Sequence, residues 1–154
     1  MIISRSLITS QIGKLLESKG TDIWSVKPDD SVYKAIEMMD NKGIGALLVI
    51  KDAALVGIVS ERDCARKVVL KKLEPENTSV SEIMTKDVLY AKPSQTVNEC
   101  MAVMTQRKIR HLPVLDQEQI LGMITLGDLA KVVIAEQQFK IDNLENTISW
   151  GESY

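Results

Sequence analysis

Hydrophobic and polar positions switch between two periods along this chain, and they do so twice in the same order. Ile23 to Val26 is a short extended run. Pro28-Asp29-Asp30-Ser31 then supplies turn and N-cap chemistry, and Val32, Ala35, Ile36 and Met39 recur at helical spacing up to Gly43. Ala46 to Ile50 and Leu55 to Ser60 are β-rich runs joined by polar residues, the pattern of a hairpin, and Glu61 to Leu70 returns to helix. The second half predicts a strand over Val88 to Ala91, a helix near Gln95 to Arg107, strands over His111 to Leu115 and Ile120 to Thr125, and a helix from Leu126.

Sliding the sequence by 65 residues lays Asp22–Val68 on Asp87–Val133 without a gap, with 12 identities in 47 positions. Average composition gives about three by chance. The identities mark turns, apolar faces and one acid, so each half is expected to fold as a β-α-β-β-α unit. One three-stranded sheet with two helices leaves a sheet face uncovered, so two units are expected to share a core. The predicted organisation is an N-terminal helical segment over 1–18, a first repeat over 19–70, a solvated linker over 71–79, a second repeat over 80–135 and a C-terminal helix or tail over 136–154. Ile8, Ile12, Leu15 and Leu16 predict a short amphipathic helix ahead of the first repeat, matched by Val80 to Met84 ahead of the second. The helical period after Val133 continues through Phe139, Ile141, Leu144 and Ile148, an apolar stripe that calls for a partner surface. Met38/Met39 and Met101/Met104 divide between core and subunit interface.

The 154 residues carry 19 basic and 21 acidic side chains, a net charge of -2, and 4% aromatics. Such a balance disfavours nucleic acid and anionic membranes as partners. No apolar run has the length of a signal peptide or a membrane span. Two cysteines, Cys64 and Cys100, lie 36 residues apart beside a single histidine, His111. Nothing local brings the three to zinc-ligand spacing, so a reduced, cytoplasmic protein with no metal is expected.

Each repeat ends its hairpin in the same device, Gly57-Ile58-Val59-Ser60-Glu61-Arg62-Asp63 and Gly122-Met123-Ile124-Thr125-Leu126-Gly127-Asp128. A hydroxyl followed three residues later by an acid is also the signature of a capping box, in which both side chains satisfy helix amides. That box favours Glu or Gln at its third position, so the shorter Asp63 and Asp128 are expected to face outward. An outward Asp accepts hydrogen bonds only and suits a vicinal diol such as a ribose, while the helix start offers amides and a positive dipole to phosphate.

These tandem motifs, with the Pro-x-x-Ser/Thr-Val start of each unit, Ile83-Met84-Thr85 and Arg110-His111-Leu112-Pro113-Val114, resemble a pair of CBS domains over about residues 19 to 135. The resemblance implies an α/β (α+β) fold of two repeats packed sheet to sheet with pseudo-twofold symmetry, and a site for an adenosine-containing ligand. By position, Asp63 and Asp128 would hold ribose hydroxyls, and Ser60 and Thr125 would touch ribose or phosphate. Strand edges near Val26 and Ala91 would offer backbone groups to adenine. Arg110 and His111 would present basic groups to phosphate, where the first repeat has Gly45 and Ala46, so the two sites are expected to be unequal. Arg62 is a further ligand candidate, and Thr85 either reaches the ligand or caps a helix. AMP or NAD is favoured, ATP is a weaker candidate, and cationic S-adenosylmethionine suits Arg110 less well. The implied function is a regulatory sensor, a homodimer or the ally of an unknown effector protein. The competing readings are a ligand-free interaction module and a nucleotide-hydrolysing enzyme. The enzyme reading lacks a nucleophile triad, a phosphate loop and a carboxylate cluster.

Overall fold

The computed structural model describes residues 10–20 and 22–152, and the side chains of 10–20 and 22–144. The fold is α+β, with two sheets in two compact units. Among the described residues, one unit comprises 22–90 with 116–121; the other comprises 10–20, 91–115 and 122–152.

In the first-repeat unit, β1 (Ser25–Val26) runs parallel to β2 (Ala46–Lys51), which pairs antiparallel with β3 (Ala54–Ser60). Helix α2 (Val32–Lys42) starts at Ser31, whose hydroxyl accepts from the Lys34 amide, and stops at Gly43, where φ is +64°. That left-handed turn costs glycine little and lets it close the helix. Residues from β1, α2 and the hairpin bury Val26, Val32, Ala35, Met39, Leu47, Val49 and Val59 into one core. Met39 and its repeat mate Met104 are both core residues, and Met38 packs partly buried on the first core. The helix predicted over 61–70 forms as α3 (Glu61–Cys64) running on into a wider π-helical turn, Ala65–Val69.

The second repeat has α5 (Val97–Arg107), β4 (His111–Asp116), β5 (Gln119–Thr125) and α6 (Leu126–Glu152). The strand predicted over Val88–Ala91 shrinks to a single bridge between Ala91 and Val114. The cause is Pro113. In the first repeat the Leu48 amide donates to the Trp24 carbonyl at 3.2 Å; the equivalent residue is Pro113, which has no N–H to continue the ladder. Helix α6 is 27 residues long, as the continued period predicted, and Ile134, Phe139, Ile141 and Leu144 stand exposed along it.

The segments ahead of the repeats are exchanged. Helix α1 (Ile12–Lys19), which precedes the first repeat, docks on the second: the Ile12 and Gly13 amides donate to the carbonyls of Gln95 and Pro93. Helix α4 (Val80–Ile83), which precedes the second, docks on the first by the equivalent bonds, Val80 to Asp30 and Ser81 to Pro28. The linker expectation is corrected at its end. Thr78 is buried and its carbonyl accepts from the Val32 amide at 2.8 Å, so this part of 71–79 is a stitch in the first unit.

Candidate functional site

Both hydroxyl-acid devices sit where a strand turns into a helix, and both are closed. Asp63 Oδ2 accepts from the Ser60 amide at 3.0 Å and from its hydroxyl at 3.1 Å, while the Asp63 amide donates to Ser60 Oγ at 3.2 Å. Asp128 Oδ2 accepts from the Thr125 amide at 2.8 Å, and the Asp128 amide donates to Thr125 Oγ1 at 3.1 Å. The expectation that the short acids face outward is therefore corrected: the aspartate arm spans the box, and one oxygen suffices for the orphan amide of residue 60 or 125.

What the box leaves over differs between the copies. In the first repeat, Asp63 Oδ1 is taken by Lys67 Nζ, one turn along the same helix, at 3.1 Å. In the second, the added cation is Lys19 from α1, and it meets Oδ2, the oxygen already in the box, at 2.5 Å. Sequence reasoning missed both lysines. Lys67 was visible at four residues from Asp63, whereas Lys19 depends on which repeat α1 covers.

The strand start is stitched to the helix mouth in both copies. The Glu61 amide donates to the Gly45 carbonyl at 3.0 Å and the Leu126 amide to the Arg110 carbonyl at 2.9 Å. These bonds set Gly45 and Ala46 beside the first mouth and Arg110 and His111 beside the second. Arg110 is exposed and His111 half-buried. Burial, with the charges of Lys19 and Arg110 behind it, holds His111 below the ordinary imidazole value against an opposing pull from Asp128. His111 is thus neutral near pH 7, and the expected basic pair reduces to Arg110, with His111 a hydrogen-bonding group. Burial pushes Asp128 up, but the Lys19 and Thr125 hydrogen bonds and the Lys19 charge outweigh it and hold the acid below its usual range.

A stability consequence follows for the histidine. An imidazole whose folded value is depressed binds its proton in the unfolded chain first, so stability falls as pH drops through about 6.5 toward the lower folded value. The slope is at most about 1.4 kcal/mol per pH unit for one proton. Denaturant melts between pH 7.5 and 5 are expected to show it, and His111→Gln is expected to flatten it; an equal slope in the variant refutes the assignment.

The remaining expected site residues are placed as follows. Val26 is buried in β1 opposite Val49. Ala91 is buried, its amide donating to the Pro113 carbonyl and its carbonyl accepting from the Leu115 amide. Thr85 bridges Ile58 through its backbone, with its side chain exposed, and Arg62 is exposed at the first helix mouth. Cys64 and Cys100 are buried free thiols. Burial first, and then the acids at 63 and 61 for Cys64 or at 99 for Cys100, raises each to about 11, so neither is a ready nucleophile. No three His, Cys, Asp or Glu side chains among the described residues cluster to hold a metal ion. Among these residues no helix is long and apolar enough to cross a membrane.

The sequence matches the CBS domain family over residues 19–70 and 80–135. The chain is a member of the CBS-domain family. A solved CBS-domain protein from Burkholderia ambifaria MC40-6 superimposes with a TM-score of 0.80 at 49% identity, covering 83% of this chain and 96% of that one. CBS domain-containing protein CBSX3, mitochondrial, of Arabidopsis thaliana is 32% identical over 93% of this chain and 74% of its own length. Inosine-5'-monophosphate dehydrogenase of Methanocaldococcus jannaschii is 36% identical over 71% of this chain, yet the match spans only 21% of that enzyme, its CBS part. CBS pairs form a family of regulatory modules that commonly bind adenosine ligands. Stand-alone members are typically regulatory rather than catalytic.

Proposed function

We propose that the second repeat binds an adenosine nucleotide of the AMP or NAD type and that occupancy regulates a partner protein or a second copy of this chain. The observation that carries the reading is the Lys19–Asp128 pair at the mouth of α6, where the first helix amide, that of Leu126, is bonded to the Arg110 carbonyl. A 27-residue helix presents about half a positive charge at its start, and the Lys19 ammonium there, with Arg110 on the adjoining strand start, favours a phosphate. Asp128 supplies an acceptor for ribose hydroxyls. The small number of cations suits one phosphate or a pyrophosphate better than a triphosphate.

A second reading, the ligand-free interaction module, is favoured by the closed capping boxes at both helix mouths. Melting curves separate the two. AMP or NAD at ten times its Kd is expected to stabilise the chain by about 1.4 kcal/mol. Melts unmoved by AMP, NAD and ATP leave the interaction module as the function.

A further inference from the structure

The exchanged helices α1 and α4 dock by equivalent bonds, but the chain leaves them differently. After α4, Thr85 turns along β3 and its amide donates to the Ile58 carbonyl at 2.9 Å. Met123 is the repeat mate of Ile58, and its carbonyl accepts instead from Lys19 Nζ, at 2.6 Å. The same ammonium reaches Asp128. A side-chain cation therefore stands in the second repeat where the first has a backbone amide. The Lys19 side chain is 32% exposed, and the helix is held by Ile12 and Leu16, 0% and 3% exposed, so the lysine has room to move while α1 stays docked.

We infer that Lys19 makes the second-repeat site select phosphorylated adenosine ligands over the bare nucleoside, by pairing with Asp128 in the free protein and turning to the phosphate when a ribose takes the carboxylate. The inference rests on the nucleotide reading above and goes beyond it. A nucleoside that hydrogen-bonds this carboxylate, only 17% exposed, competes with the ammonium for its charge and offers the ammonium no anion in return. A nucleotide exchanges one anion for another, so the number of ion pairs is kept. Charge-assisted hydrogen bonds are the strong ones, and losing one to phosphate weakens binding about ten- to hundredfold.

The test is calorimetric titration of AMP and adenosine into the wild type, Lys19→Met and Lys19→Arg, with Lys19→Gln in reserve should the methionine variant destabilise α1. The wild type is expected to prefer AMP. The neutral variant is expected to lose at least tenfold of the AMP-to-adenosine affinity ratio, through weaker AMP binding with adenosine held equal or tighter, and Lys19→Arg to keep the ratio within about threefold. A wild type that binds AMP while the neutral variant keeps the same ratio, or weakens both ligands alike, overturns the role of Lys19 and leaves the nucleotide site standing. A wild type that binds neither ligand overturns the nucleotide reading, and the selectivity falls with it.

Discussion

Asp128→Ala is expected to weaken AMP binding about ten- to hundredfold, whereas Asp63→Ala is expected to leave it within about twofold. A hydrogen bond to a charged group contributes roughly 1.5 to 3 kcal/mol, which sets the first figure. The second follows from the different closure of the two acids. Asp63 has Oδ2 in its box and Oδ1 on Lys67, while Asp128 gathers both the Thr125 amide and Lys19 onto the single oxygen Oδ2. Either alanine also removes a helix cap, at about 0.5 to 2 kcal/mol of stability. Asp128→Asn separates the two effects, since the amide oxygen can still accept from the Thr125 amide while the charge is gone. Titration should show the asparagine variant nearer to alanine than to wild type in affinity, and nearer to wild type in its melt. Equal losses on removing Asp63 and Asp128 overturn the asymmetry, and unchanged affinity in Asp128→Ala removes the ribose role.

The order of elements was legible because each depends on local spacing. The alternation of Ala46 to Ser60 and the helical recurrence of Val32, Ala35 and Met39 are written in neighbours, and the 65-residue offset carried them to the second repeat. Even the lost strand at Val88–Ala91 was there to be read, because the offset places Pro113 on Leu48. Three features depended on distant residues. Local periodicity shows that Ile12 and Leu16 form one apolar face, but not that this face covers Gly122 in the second repeat, with Leu16 within 3.0 Å of a Cβ there. Without that placement Lys19 is one surface lysine among many. The direction of Asp63 and Asp128 was misjudged because the preference for glutamate is statistical, while the amides of Ser60 and Thr125 at the strand ends need an acceptor in every molecule. His111 changed meaning through its neighbours: burial and two nearby cations convert a presumed positive group into a neutral one.

The exchange of helices has a mechanical consequence at the paired glycines Gly57 and Gly122. A Cβ built on Gly57 would lie 2.5 Å from Met84 Sδ, 3.0 Å from its Cγ and 3.1 Å from the Thr85 carbonyl oxygen. That oxygen is held in place by the bond from the Ile58 amide at 3.0 Å, so relief must come from Met84, itself packed on the first core. A Cβ on Gly122 meets only the tip of Leu16, at 3.0 Å, with the next atom at 3.8 Å. Overpacking of this kind costs roughly 1 to 3 kcal/mol. Gly57→Ala is expected near the upper end, about 3 kcal/mol, and Gly122→Ala below about 1 kcal/mol, read from denaturant midpoints. Because the clash runs through one side chain, Met84→Ala is expected to recover at least about 1 kcal/mol of the Gly57→Ala loss in a double-mutant cycle. Additive losses would mean that Met84 does not pack over Gly57, and the docking of α4 on β3 would have to be abandoned. A Leu16→Ala change in the Gly122→Ala background should recover little, since a leucine tip can rotate away and there is little strain to relieve.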